Sequence, residues 1–301
     1  MRTRSLFVSS VLGVALLGLA GSASAAPTQI TATNTYDDVD PLEPYTINVS
    51  CPTTPVGGGS YSHNLLVGGG FEASHDFAVY ENRMVGSTWQ VSVFNNGYGV
   101  DEITVYANCL YWNGNPTNPT VVKATSSMTT VPASTTAKSV TSPSCPTDST
   151  DKAKKQKTVV VSGGYLSTDV GGYVPTYIQN GRSGNAWQVT GYNPPGSSSQ
   201  KVQAQVNCLN GWSVVNSKKQ TVWATTSQAH AGDAPEGMAQ AVCGSAVVTG
   251  GGWSISKTHL NFPYQCLSFG TNDYTCDMDY YGPGEGSDSS SLAYAECLVT
   301  P

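Results

Sequence analysis

A cysteine-closed motif occurs three times along this chain and constrains its architecture before composition is considered. Each occurrence opens on aliphatic-X-Ala-Thr, at Ile30-Thr31-Ala32-Thr33, Val122-Lys123-Ala124-Thr125 and Val222-Trp223-Ala224-Thr225. A cysteine follows, then glycines closed by an aromatic residue and an alternating strand. The motif ends at Asn108-Cys109-Leu110, Asn207-Cys208-Leu209 and Glu296-Cys297-Leu298. The alanines lie 92 and 100 residues apart, and the first cysteine follows each alanine by 19, 21 and 19 positions. A period this long exceeds that of solenoid repeats, so each copy can hold most of its own core. The copies span residues 26–115, 116–216 and 217–301, with Asn113 to Pro119 as the first connector.

Residues 1–25 read as a secretory signal. Arg2 and Arg4 supply the positive start, Leu6 to Ala20 form a short apolar run, and Ala23-Ser24-Ala25 offers a small-X-small cleavage site. No later stretch approaches the 18 or so apolar residues that a spanning helix needs, so a secreted, extracellular product without a membrane span is expected. In an oxidising compartment, eight cysteines invite complete pairing. The repeat points to pairs within copies: Cys51 with Cys109, Cys145 with Cys208, and Cys243 with Cys297, leaving Cys266 for Cys276. The competing scheme joins Cys109 to Cys145 and Cys208 to Cys243, leaving Cys51 for Cys297.

Only 11% of the residues are charged, and glycine, threonine, serine, valine and tyrosine are abundant, which favours strands and turns over helix. Trp89-Gln90-Val91-Ser92-Val93 and Trp187-Gln188-Val189-Thr190 alternate apolar with polar side chains, as half-exposed strands do. Each is followed by an Asn/Gly/Pro turn and a second alternating strand that ends in a cysteine. The third copy lacks this tryptophan, and Tyr274 is its nearest substitute. The runs Val67-Gly68-Gly69-Gly70-Phe71, Val161-Ser162-Gly163-Gly164-Tyr165 and Val248-Thr249-Gly250-Gly251-Gly252-Trp253 put glycines inside strand patterns. Such glycines mark a bulge, a bend, or bare backbone under a ring, and Trp89 and Trp187 are the obvious rings. The expected fold is all-β: three tandem, homologous, disulfide-braced sandwich-like modules of about six strands each. One pseudo-threefold β-prism is the competing arrangement.

Cys243-Gly244-Ser245-Ala246-Val247-Val248-Thr249-Gly250-Gly251-Gly252-Trp253, with the Trp-Gln-Val strands and the closing Ala-X-Cys, resembles a repeat of uncharacterised secreted bacterial proteins. The resemblance covers nearly the whole mature chain, once per copy, and implies a module without implying an activity. Copies one and two depart from the short spacing by inserting residues between cysteine and glycines, among them Lys152, Lys154, Lys155 and Lys157.

No catalytic pattern stands out. His63, His75, His230 and His259 form no metalloprotease, nucleophile-elbow or cysteine–histidine arrangement, so no enzyme, cofactor or metal is expected. The acidic runs Asp37-Asp38-Val39-Asp40 to Glu43 and Asp277-Met278-Asp279 to Glu285 lack EF-hand spacing and read as solvated turns. Charge alternates by copy: net −8 over residues 26–119, +7 over 120–219 and −7 over 220–301. The basic copy has a single arginine, Arg182, among its ten cations, which argues against a nucleic-acid groove. Its lysines suit a polyanion such as an anionic wall polymer, a secreted protein partner, or a second copy of the chain. Trp112, Trp212, Tyr280 and Tyr281 are candidate ligand contacts, since flat rings on a rigid scaffold grip sugars well. Trp112 and Trp212 could instead wedge between modules. The expected role is a secreted, non-catalytic binding or scaffold protein that recognises a glycan or wall polymer. A subunit of an extracellular assembly comes second, and an unrecognised hydrolase third.

Overall fold

The computed structural model describes residues 27–54, 60–73, 77–113, 119–134, 136–146, 158–168, 176–193, 195–210, 236–244, 246–255, 260–269, 273–281 and 291–298. The first copy supplies β1 (Thr28–Val39), β2 (Pro44–Ser50), β3 (His63–Ala73), β4 (Phe77–Val85), β5 (Thr88–Asn95) and β6 (Asp101–Trp112). The second supplies β7 (Thr120–Thr125), β8 (Thr129–Val131), β9 (Lys138–Thr141), β10 (Val159–Ser167), β11 (Thr176–Ser183), β12 (Ala186–Tyr192) and β13 (Gln200–Asn210). The third supplies β14 (Glu236–Val242), β15 (Val247–Ile255), β16 (Leu260–Phe269), β17 (Asp273–Tyr281) and β18 (Ser291–Leu298). The protein is all-β, and the described residues contain no helix.

Three antiparallel sheets result, with strand orders β1-β6-β3-β16-β17-β14, β2-β5-β4-β10-β13-β7 and β18-β15-β11-β12-β9; β8 adds to β13. Every sheet draws on two copies, and the sharing is cyclic. The β4 half of copy one meets β10 of copy two, the β11 half of copy two meets β15 of copy three, and the β16 half of copy three returns to β3 of copy one. The all-β expectation holds, but because each sheet crosses from one copy to the next, the copies are not separately closed sandwiches.

The three residues that precede the aromatic in each glycine run have three separate duties. Val67, Val161 and Thr249 are bulged out of the ladders, so that Gly68, Ser162 and Gly250 pair with Asn108, Asn207 and Glu296. These first positions meet one another across copies: a Cβ on Gly68 would strike the carbonyl of Thr249, and one on Gly250 would lie 2.6 Å from the Ser162 Cβ. The second positions, Gly69 and Gly163, lie directly under the indole rings of Trp89 and Trp187. The third positions, Gly164 and Gly252, press on the backbone of Asn82 and Asn180 at the seams between copies. Bulge, ring cover and close backbone approach are all present, and a side chain is excluded at the glycines of each kind for a different steric reason, while the first position of copy two holds the small Ser162.

Where the copies converge, Val67, Leu110, Trp112, Val161, Leu209 and Leu298 form an apolar cluster apart from the main core. Beside it runs a buried polar chain. Ser162 Oγ donates to the Val67 carbonyl at 2.5 Å, Thr249 Oγ1 to the Val161 carbonyl at 2.7 Å, and Asn207 Nδ2 to Ser162 Oγ at 2.8 Å. The bulges free those carbonyls from the ladder, and side chains of the next copy satisfy them.

All four disulfides lie within copies: Cys51–Cys109, Cys145–Cys208, Cys243–Cys297 and Cys266–Cys276. The first ties the end of β2 to β6 and so closes the interior of copy one. The last joins directly paired residues of the β16–β17 hairpin. Register places Cys266 where copies one and two carry Asn82 and Asn180, and Tyr274 where they carry Trp89 and Trp187. In those two copies the indole Nε1 donates to the asparagine Oδ1, at 2.7 Å from Trp89 to Asn82 and 2.6 Å from Trp187 to Asn180. The third copy has exchanged this hydrogen-bonded plug for a covalent cross-strand bridge.

Candidate binding surface

The sequence candidates scatter. Trp112 is 2% exposed and belongs to the apolar cluster between copies, its ring stacked on His63 with centroids 5.2 Å apart. It is no contact for an external ligand. Alternation along β6 puts it on the face of Asn108 and Leu110, and that face is covered by the neighbouring copies. Tyr111 is buried too, its hydroxyl donating to the Pro52 carbonyl at 2.7 Å. Tyr280 and Tyr281 sit at the end of β17, paired with Asn261 and Leu260. Asp277 and Asp279 are strand residues of the same element, not turn residues as expected. Trp212, Lys152, Lys154, Lys155, Lys157, His75, His230, His259 and Glu285 lie outside the described residues.

A surface that sequence reading passed over stands out instead, at the tip of copy one. Val39 at the end of β1, the turn leading to β2, and the loop from Asn95 to Asp101 are drawn together by one buried asparagine. Asn95 Nδ2 donates to the carbonyls of Val39 and Gly99, both at 2.9 Å, and its Oδ1 accepts from the Gly97 amide at 2.8 Å. Its carbonyl accepts the Leu42 amide at 2.8 Å. On this clamp the chain displays apolar groups to solvent: Tyr98 is fully exposed, Leu42 67%, Val100 56% and Tyr36 42%. Tyr36 packs at a tilt on Tyr45, with ring centroids 5.4 Å apart, and the Tyr45 hydroxyl donates to Asp40.

Carboxylates ring the patch. Asp37, Asp38, Asp40, Glu43 and Glu102 are exposed, and Asp37, Asp38, Asp40 and Glu43 meet no cation among the described residues. Copy one has a single cation, Arg83, and it pairs with Glu81 at 2.7 Å. Four exposed apolar groups within a ring of uncompensated charge are costly to hold for stability alone. No three histidine, cysteine or acidic side chains among the described residues converge in a way that could hold a metal ion.

The second copy builds the same tip with different surface chemistry. Asn193 Nδ2 holds the Val131 carbonyl at 3.2 Å and the Ser198 carbonyl at 2.8 Å, as Asn95 holds Val39 and Gly99. Register sets Lys138 at the place of Tyr45 and Lys201 at the place of Glu102, and both lysines are exposed. The clamp therefore forms without carboxylates or exposed rings, so those groups of copy one answer to something other than folding. The signal was present in the sequence as Asn95-Asn96-Gly97-Tyr98-Gly99 facing the run Asp37 to Glu43. Only the fold brings them within one surface.

No known family profile matches the chain, and no curated protein does. None of the described residues belongs to a helix long and apolar enough to cross a membrane.

Proposed function

We propose that this chain is a secreted, non-catalytic binding protein acting at or near the cell surface, and that it grips a glycan with the tip of copy one. The observation that carries this reading is the fully exposed Tyr98 among Tyr36, Leu42 and Val100, ringed by carboxylates. Ring faces offer apolar contact to sugar C–H groups, and carboxylates accept hydrogen bonds from sugar hydroxyls. The same carboxylates repel phosphate and uronate groups, so a neutral or amino-bearing glycan suits this surface better than an anionic wall polymer. The four disulfides fit an oxidising compartment, and the signal-like start of the chain supports export. The test is retention on insoluble cell-wall and glycan fractions. Binding should fall for Tyr98→Ala and Tyr36→Ala with the fold intact by circular dichroism, and retention unaffected by both substitutions would sink the reading.

A second reading, a subunit of an extracellular assembly, draws on the opposite charges of the equivalent tips of copies one and two. Salt-sensitive association with itself or with another secreted protein would favour it.

A further inference from the structure

We propose that two copies of this chain pair end to end, each docking its acidic, aromatic first-copy tip onto the basic second-copy tip of the other. The inference rests on the assembly reading above, and pairing would compete with a glycan for the same tip. Its starting point is chemical opposition at equivalent places. The first tip carries Asp37, Asp38, Asp40, Glu43 and Glu102 with no cation of its own. The second carries Lys138 and Lys201, and the tip segments 127–140 and 191–203 contain no acidic residue at all. Neither lysine makes an ion pair among the described residues.

Placement makes the pairing reciprocal. The cyclic sharing of sheets relates the copies by rotation about the axis on which Gly68, Ser162 and Gly250 meet, and rotation leaves equivalent loops at the same end of the prism. Two chains that meet at that end across a two-fold axis can therefore satisfy both contacts at once, acid on base and base on acid. This is the self-complementary, closed form of association. Its apolar centre is already exposed: covering Tyr98, Leu42 and Val100 removes them from water, while the charges set orientation and encounter rate. A foreign cationic partner could satisfy the acidic tip but would leave Lys138 and Lys201 unmatched, and a second copy accounts for both.

Sedimentation velocity on the full protein tests the proposal. A dimer is expected at low ionic strength, with an association constant about ten-fold or more weaker at 0.5 M salt, where exposed charges are screened within a few ångströms. A chain carrying Asp37→Lys, Asp38→Lys and Asp40→Lys should be monomeric, as should one carrying Lys138→Glu and Lys201→Glu. Mixed, the two should form a heterodimer, because one then has two basic tips and the other two acidic ones. Tyr98→Ser, which leaves every charge in place, should weaken the wild-type dimer about ten-fold. A wild-type chain that stays monomeric at low salt overturns the pairing, as does a dimer indifferent to both charge reversals or a mixture that stays monomeric. A monomeric wild type that nevertheless captures polylysine through Asp37, Asp38 and Asp40 would assign the tip to a foreign cation, and it too overturns self-pairing. Because pairing covers Tyr98, glycan retention is measured on the monomeric Lys138→Glu, Lys201→Glu chain, which keeps the first tip intact, so the two readings fail separately.

Discussion

Arg182 Nη1 of the second copy lies 3.0 Å from Glu296 Oε2 of the third, joining two copies through a carboxylate that is 1% exposed. Asn108 and Asn207 stand at the corresponding places of the other copies, so the third has put a charge where they carry amides. Burial pushes the Glu296 carboxyl up to about 7, and the guanidinium opposes that shift without cancelling it. Glu296 Oε1 has no hydrogen-bond partner among the described residues, which adds to the cost of the charged form.

The consequence is a stability that favours acid. Because the folded-state value lies above the ordinary carboxylate value, the native chain binds more protons than the unfolded one between about pH 4.5 and 7. The contribution is present below that window, is lost as pH rises through it, and is flat above. Its size is on the order of 3 kcal/mol. Denaturant midpoints from pH 4.5 to 8 should fall more steeply for wild type than for Glu296→Gln, whose amide oxygen can still accept from Arg182. Parallel profiles for the two proteins would refute this assignment.

A second expectation concerns the tryptophan plug. Trp89→Phe keeps an apolar ring over Gly69 but strands the Asn82 Oδ1 that the indole Nε1 satisfied at 2.7 Å in a buried site. The loss should be about 1–3 kcal/mol. Trp89→Phe combined with Asn82→Leu should recover part of it, and a double-mutant cycle showing no coupling would contradict the pairing.

The bridges should differ in weight. Cys51–Cys109, Cys145–Cys208 and Cys243–Cys297 span 58, 63 and 54 residues, against 10 for Cys266–Cys276. Loop-closure entropy then predicts about 4 kcal/mol for each long bridge and about 3 for the short one. Replacing both cysteines of one pair at a time by alanine, followed by thermal unfolding, checks the order. A larger loss from the Cys266–Cys276 pair would reverse it.

How far the fold could be read from sequence depended on whether the relevant contact lay inside a copy or between copies. The cysteine pairs and the rings over Gly69 and Gly163 are internal to a copy, so motif alignment and strand alternation were enough to find them. Trp112 was different. In β6, Ala107, Cys109 and Tyr111 face the interior of the copy, while Asn108, Leu110 and Trp112 face outward from it. That outward face becomes interior once three copies share sheets; the wedge alternative for Trp112, drawn from its place after the closing cysteine, matches this, whereas strand alternation alone does not show it. The unbroken run of buried residues from Ala107 to Trp112 is the signature of a strand covered on both faces. The tip of copy one escaped for a related reason: Tyr36 and Tyr98 are 62 residues apart in the chain, and the β1–β6 ladder and the Asn95 clamp bring their segments to one end of copy one.

Leu42 offers the sharpest separation of stability from binding. It is the only described residue other than glycine with positive φ, at 62°, and its side chain is 67% exposed. A left-handed backbone conformation costs a leucine about 1–2 kcal/mol relative to glycine, whose missing Cβ removes the clash. An exposed side chain gives little in return through packing, and the Leu42 amide would keep its bond to the Asn95 carbonyl in a glycine variant. Leu42→Gly should therefore raise stability by about 1 kcal/mol, part of the gain being offset by the greater freedom of glycine in the unfolded chain. It should at the same time weaken low-salt dimerisation, since an apolar group is lost from the centre of the contact. Thermal unfolding and sedimentation on the same preparation check both halves. A variant that melts lower than wild type would show that Leu42 serves the fold, and the strained, solvent-facing leucine would no longer argue for a docking surface.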